Sequence, residues 1–365
     1  MNFLREENVK KVLGLCMAIC VILCLSGAAQ ALGLYDGADR LAALQNDDGG
    51  WDWPLDDGDP GNASFSNTVG PIAMGLGKAY LVTSDSAHLT ALQDASAFLL
   101  NKTNNFTPSD GHLAVELDSI LGGTANVNHV KTNFYDQLFA GTYDRLGAGT
   151  LYSTAQYVQL IRDHRASQGN GNMAAWDIGL GLYSAAAIGA STSEWISGVE
   201  AEIDELDGSA YYDVIGLSGA ILGLASAGVD YDPAGGEHVD ASNLVDLADI
   251  LSTYQLSTGG FTWNSEYVIE GDDNESVRET AYALLALWEL DSVAYGGEAL
   301  DAGTYMQGVQ LATGGWEGYA GAGENNEVTG EALWGIATIP EPSTGLLVGL
   351  GLMGLAVRRR ATRRS

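Results

Sequence analysis

Three stretches of this chain repeat one plan. LQNDDGGWDW at 44 to 53, YQLSTGGFTW at 254 to 263 and VQLATGGWEG at 309 to 318 each carry a glutamine (Gln45, Gln255, Gln310), a Gly-Gly pair, and then at once an aromatic residue (Trp51, Phe261, Trp316). In every copy the glutamine and the second glycine (Gly50, Gly260, Gly315) keep the same spacing. An element that recurs at one offset needs the same surroundings each time, so the body must be built from like units.

Between the copies, apolar periodicity is helical almost everywhere and alternating β-branched runs are scarce. The segments pair. A first helix of moderate polarity leads through a loop into a second made of small and apolar residues. The expected pairs are 36 to 45 with 67 to 81, 87 to 101 with 129 to 146, 151 to 166 with 174 to 188, 193 to 206 with 211 to 227, 242 to 256 with 277 to 290, and 301 to 311 with 327 to 338. HLAVELDSILGG at 112 to 123 competes for the inner position of the second pair. Glycine and alanine in second members such as GPIAMGLGKAY and YDVIGLSGAILGLASAG let helix backbones approach closely, as an inner ring requires. The more charged first members suit an outer ring, and no linker divides the body.

The stretch Gln-x-x-x-Gly-Gly-Trp, followed by a helix that begins near Thr280 or Thr329, resembles the repeat of the prenyltransferase and squalene-oxidocyclase superfamily, the terpenoid cyclase-like proteins. The resemblance implies an all-α fold, an (α/α)6 toroid of six hairpins in two concentric layers. It also implies a structural role for Gln45, Gly50, Trp51, Gln255, Gly260, Phe261, Gln310, Gly315 and Trp316, that of fastening neighbouring hairpins. The glycines permit a positive-φ turn and the ring covers the junction.

The same resemblance implies three chemistries, and each lacks a residue here. Where cyclases carry the acid motif D-x-D-D-T-A, this chain has Ser276-Val277-Arg278-Glu279-Thr280-Ala281, which keeps Thr-Ala without the first two aspartates. The protein prenyltransferases need a cysteine ligand for zinc. Complement-type relatives need a thioester cysteine, and the nearest stretch, Gly321-Ala322-Gly323-Glu324-Asn325, has alanine there.

Both ends read as addresses. Arg5, Lys10 and Lys11 precede an apolar run from Val12 to Leu25 and a small-residue stretch ending Ala29-Gln30-Ala31, so residues 1 to 31 are expected to form a secretory signal helix. The chain closes with Pro340, Glu341 and Pro342, an apolar run from Gly345 to Val357, and a basic cluster with Arg358, Arg359 and Arg360. That order resembles the PEP-CTERM sorting signal. It implies an exosortase-type transpeptidase as partner, delivery to the cell surface or extracellular matrix, and a C-terminal segment, 340 to 365, as the sole contact with a membrane. The apolar run spans only about 20 Å of a hydrocarbon core about 30 Å thick, so the anchor is marginal by itself.

Between the two addresses, residues 32 to 339 form the expected toroid domain and contain no cysteine, since Cys16, Cys20 and Cys24 all lie in the signal. Disulfides, thiolate nucleophiles and cysteine-ligated metals are thereby excluded from the body. The body holds eight basic and forty-four acidic residues, a formal charge of about −36. Such a surface repels nucleic acid, anionic lipid and polyuronates, and it remains compatible with neutral glycans.

Aromatic-aspartate pairs point to sugar chemistry, because a ring stacks on the sugar face while a carboxylate accepts its hydroxyl donors. Asp136 in FYDQ, Asp177 in AWDIG and Asp213 in YYDVIG each follow an aromatic near the start of an expected inner helix. Trp53, Tyr135, Trp176, Tyr212 and Trp263 are the corresponding candidate ligand-binding rings. Two carboxyls about 5 to 9.5 Å apart would make a glycosidase. A lyase would need a base, often Tyr or His, and a cation or Arg to neutralise a uronate; NVNHVKTNFYD offers His129, Lys131 and Tyr135, and RDHR offers Arg162, His164 and Arg165. The bland alternative for the aspartates is stabilisation of the helix dipole. No cofactor is required, although PLDDGDPGN (54 to 62) and EGDDNES (270 to 276) are acidic enough for calcium without following the EF-hand order. A polysaccharide-binding or matrix role, a glycan-active enzyme and a divergent cyclase all remain open at this point.

Overall fold

The computed structural model describes residues 33–55, 58–208, 212–270 and 274–339. The expected signal helix (1–31) and the sorting residues Pro340, Glu341, Pro342, Arg358, Arg359 and Arg360 lie outside the described residues.

Small residues build the inner layer. Helices α2 (Val69–Thr83), α4 (Asp110–Leu121), α8 (Met173–Ala187), α10 (Asp213–Ala227), α13 (Val277–Asp291) and α15 (Asn326–Thr338) each touch the next in that order, and α15 packs back onto α2. The ring is closed. Two contacts are backbone against backbone: a Cβ on Gly75 would collide with Gly330, and one on Gly179 with Gly219. α10 is buried at every position from Asp213 to Leu224, as expected of a helix surrounded on all sides.

The outer layer consists of α1 (residues 33–43), α3 (Ser86–Asn101), α5 (Ala125–Val130) running through a π-helical turn (Lys131–Tyr135) into α6 (Asp136–Ala140), α7 (Thr154–Ser167), α9 (Ser193–Ile203), α11 (Leu244–Ser252) and α14 (Gly296–Gly308). A two-stranded hairpin of β1 (Tyr143–Asp144) and β2 (Leu151–Tyr152) separates α6 from α7, and the short α12 (Ser265–Glu270) precedes α13. Outer helices start on local caps. Asp85 accepts from the Ala87 amide at α3, Ser153 and Gln156 form a capping box at α7, and Asn243 accepts from the Asp246 amide at α11.

Five of the six expected hairpins fall as the periodicity predicts, and the second needs correction. Its inner member is the competing segment, α4, while 125–140 lies outside. Charge disguises α4 in the sequence. Each of its acids has a partner: Asp110 pairs with Lys102 at 2.7 Å, Glu116 with Lys78 at 2.7 Å, and Asp118 accepts from the Asn126 side chain at 2.9 Å. Pairing of this kind holds the acids inside the fold, with Asp110 Oδ1 and Glu116 Oε1 left without a hydrogen-bond partner.

The repeated loops tie the outer layer together. Gln45 Nε2 donates to the Gly49 carbonyl in its own loop and to the Ala91 carbonyl on α3, both at 2.8 Å. Gln255 does the same to Gly259 (2.9 Å) and Glu298 on α14 (2.8 Å). Gln310 reaches Gly314 (2.7 Å) and Gly33 on α1 (2.9 Å), which joins the last hairpin to the first. The first glycine of each pair has positive φ (Gly49 89°, Gly259 92°, Gly314 93°), and an added Cβ would strike the carbonyl of Asp94, Asp301 or Asp36 on the neighbouring outer helix. Trp51 and Trp316 are fully buried and donate their indole N–H to Leu41 (2.8 Å) and Met306 (2.7 Å). Phe261 has no such donor; its amide, like that of Trp316, donates instead to a threonine of the following inner helix, Thr280 at 2.8 Å and Thr329 at 3.0 Å respectively.

Alternation of outer and inner helices makes the inner ones parallel. Gly70 packs on Ser109 and Gly77 on Glu116, the constant offset that parallel neighbours show. Six N-termini therefore gather at one end of the barrel. That end is the mouth.

Candidate functional site

The mouth is built by the loops that lead into inner helices. Trp53 comes from the loop before α2, Tyr212 caps α10, Trp263 lies in the loop before α13 and Tyr319 in the loop before α15. Trp53 is 47 % exposed, Tyr319 is 49 % exposed, and Tyr212 and Trp263 are half-buried. The rings form two groups. Trp53 lies 6.3 Å from Phe65, and Trp263 lies 4.9 Å from Tyr267 and 5.8 Å from Tyr319. Tyr212 adopts φ of 77°, a region that disfavours a bulky side chain, and its ring lies under the Arg278 guanidinium at 5.4 Å.

Below the rings lies a charged floor. Arg165, in the last turn of α7, grips Asp177 of α8 with two hydrogen bonds, 2.6 and 3.1 Å. Arg278 and Glu279 open α13, and Glu327 and Glu331 stand one turn apart on α15. Glu327 accepts from the Trp53 indole at 3.1 Å. Glu331 is fully buried and receives the Tyr282 hydroxyl, while Glu279, also fully buried, receives the Ser276 hydroxyl and lies 3.5 Å from Arg278. Glu331 Oε2 and Glu279 Oε1 have no hydrogen-bond partner.

Burial sets the protonation of this floor. It pushes the Glu331 carboxyl well above the ordinary range, and neighbouring Glu327 adds to the effect. Glu327 is also raised by burial, against the opposing pull of Arg278. Burial works to lower Arg278, but Glu279 and Glu331 outweigh it and hold the guanidinium charged. Burial thus favours the neutral form of Glu331, beside a fixed cation.

Deeper along the axis, aromatic rings fill the barrel. Trp176 and Tyr282 stack at 3.4 Å between centroids and 22° between planes, and both are buried. His112 stands 4.0 Å from the Tyr183 ring and 6.0 Å from Trp334. Burial, with help from Lys78, lowers His112 to about 3, so it is neutral.

The residues singled out in the sequence divide between the mouth and elsewhere. Asp177, Trp53, Tyr212 and Trp263 are at the mouth, with Trp176 just beneath. Asp136 stands on α6 in the outer layer, 53 % exposed and paired with Lys131 at 3.1 Å. Asp213 is fully buried, accepts from Tyr254 at 2.9 Å and lies 3.6 Å from His238. The three aspartates have three different partners. Tyr135, expected to face a ligand, is instead buried with its hydroxyl on the Pro108 carbonyl at 2.9 Å. His129 holds the Lys102 carbonyl through Nε2 at 2.7 Å.

Sequence reasoning passed over Glu327 and Glu331. The signal was there: NEVTGEALWGIA places two acids four apart on a helix whose other faces are small or apolar. An acid on a helix without a polar stripe must face a partner.

Among the described residues, no group of three or more His, Cys, Asp or Glu is placed to hold a metal ion, and no helix is long and apolar enough to cross a membrane. The calcium reading falls on loops that include residues outside the described set.

Comparison with known proteins singles out the C-terminus. The family described as the PEP-CTERM protein-sorting motif matches residues 338–360, which marks an exosortase substrate signal, export, and C-terminal anchoring at the cell envelope. No curated protein matches the chain by sequence. Two solved structures are similar in shape at a TM-score of 0.48 each. A protein from Actinoplanes is 15 % identical, with 85 % of this chain and 99 % of that one covered. A variant of the type II terpene cyclase MstE from Scytonema, bound to geranylgeranyl dihydroxybenzoate, is 13 % identical, with 87 % and 99 % covered.

Proposed function

We propose that this chain is a saccharide-binding protein of the cell surface or extracellular matrix, with residues 32–339 as the secreted body and a neutral glycan as its ligand. The observation that carries the reading is the mouth itself: partly exposed rings (Trp53, Tyr212, Trp263, Tyr319) around hydrogen-bonding carboxylates and guanidinium groups. Rings offer apolar faces to sugar C–H groups, and the floor offers acceptors to hydroxyls. The acidic body supports an uncharged ligand over a polyuronate or a nucleic acid.

A second reading, a glycan-active enzyme, draws support from one feature. Glu331, its carboxyl raised by burial, stands one helical turn from Glu327, and a raised carboxyl beside a second one is the equipment of glycoside hydrolysis. Both readings meet in one experiment. The purified exported protein is run through gels containing neutral or acidic polysaccharide, and the same mixtures are assayed for new reducing ends. Retardation by neutral polysaccharide without new ends supports binding, new ends support the enzyme, and free migration through every gel removes both.

A further inference from the structure

We propose that, while the C-terminal segment is anchored, the end of the barrel opposite the mouth stands against the bilayer through Leu81, Val82 and Val293, and the mouth is turned away from the membrane. The orientation is independent of what the mouth binds. The sorting motif matches from residue 338, the last residue of α15, so it begins where the fold ends. Five residues, Pro340 to Thr344, separate Ile339 from the apolar run at Gly345, and fully extended they reach at most about 18 Å. α15 is 13 residues long, or about 20 Å, and the mouth loops lie beyond its far end. The connection is shorter than the barrel is tall, so the end from which it leaves is the end held at the membrane.

Packing shows which residues surround that exit. A Cβ on Gly330 of α15 would strike Ile72 of α2, and one on Gly75 would strike Gly330, so these two parallel helices are level there. Eight residues further along each, the last turn of α15 is level with residues 80 to 83 of α2, where Leu81 and Val82 are exposed. On the other side, Gly335 of α15 rests on Ala281 of α13. From that contact α13 runs ten residues to Asp291 and α15 only three to Thr338, so α13 projects about 10 Å past the exit. Val293, 90 % exposed, stands at its tip. That projection is within the reach of the connection.

Three aliphatic side chains around a membrane anchor make a contact that would be weak between separate bodies. The anchor supplies the proximity, and little apolar burial is then needed to select one orientation. The acids of this end favour a zwitterionic surface. Asp85 accepts from the Tyr35 hydroxyl at 2.6 Å and the Ala87 amide at 2.7 Å, and Asp291 accepts from the Val293 amide at 2.9 Å and the Ala294 amide at 3.0 Å. These bonds hold both carboxyls below their ordinary range, so both stay charged and oppose an anionic lipid surface, as the acidic body does.

The test uses the chain with its C-terminal segment in place; residues 32 to 365 contain no cysteine, so Leu81→Cys, Val293→Cys and, at the mouth, Tyr319→Cys can each carry a single fluorophore. Each labelled protein is reconstituted into phosphatidylcholine vesicles, some of whose headgroups bear a nitroxide quencher. Labels at Leu81 and Val293 should lose most of their emission, and the label at Tyr319 should keep nearly all of it. With Leu81→Glu and Val82→Glu introduced together, the Val293 label should recover most of its emission. Equal or absent quenching at the three sites, stronger quenching at Tyr319, or failure of the chain to float with the vesicles overturns the proposal. Full quenching at Val293 that persists in the double glutamate variant overturns the apolar contact and leaves the orientation standing.

Discussion

The six outer-to-inner junctions of the barrel are fastened in two ways. Three of them, leading into α2, α13 and α15, use the glutamine, the glycine pair and a buried ring: two neutral hydrogen bonds to backbone carbonyls and an aromatic wedge. The other three, leading into α4, α8 and α10, are built on carboxylates instead: Lys102 on Asp110, Arg165 on Asp177, and the Tyr254 hydroxyl on Asp213, with His238 3.6 Å away. The two kinds divide the ring into halves, since the stitched junctions are consecutive around the closure from α13 through α15 to α2. A neutral fastening works by shape, and a charged one depends on keeping its partner.

Substitutions can break this contrast. The largest effect is expected at Trp316→Ala, which empties a fully buried site and frees the Met306 carbonyl; it should lower unfolding free energy by about 4 kcal/mol in denaturant titration. Lys102→Met comes next. It leaves Asp110 buried without its cation, at a cost of about 3 kcal/mol in the same titration. Gln310→Ala removes two hydrogen bonds at the ring closure and should cost roughly 1 to 3 kcal/mol. If Lys102→Met costs nothing while Trp316→Ala costs its full amount, the contrast fails.

The floor of the mouth adds a smaller and sharper expectation. Glu331 is raised in the fold above its ordinary 4.5, so its favourable contribution is complete below that pH and is lost as pH rises through the folded value. The wild type should therefore lose stability as pH climbs from 4.5, and Glu331→Gln, neutral throughout, should flatten that decline in a series of thermal melts. Smallest of all, Trp53→Ala at a half-exposed ring should change stability by no more than about 0.5 kcal/mol.

The same contrast explains what the sequence disclosed. Stitched junctions repeat, and repetition is visible without coordinates; Gln45, Gln255 and Gln310 announced both the units and their fastening. In the structure each glutamine serves the next outer helix as well as its own loop. Charged junctions carry no such mark. Asp177 and Arg165 were each noticed, one among carboxylates and the other among cations, yet their pairing joins the end of α7 to the start of α8 and has no fixed spacing. α4 was hidden because Asp110, Glu116 and Asp118 give it the look of an outer helix until Lys102, Lys78 and Asn126 are seen to meet them. Tyr135 and Asp213 look like mouth residues in sequence, but the helix face that each occupies turns them inward. Glu327 and Glu331 escaped because i and i+4 is the ordinary spacing of a solvated face.

The most direct test of the account is where a saccharide is held. Affinity of the exported protein for the neutral polysaccharide that retards it most should fall at least about tenfold in the Trp53→Ala, Trp263→Ala double variant and stay unchanged in Val293→Ala, a substitution beside the C-terminal end of α13 and so away from the mouth. Loss of affinity in Val293→Ala, or its survival in the double variant, would contradict the placement of the binding site among the loops that feed the inner helices.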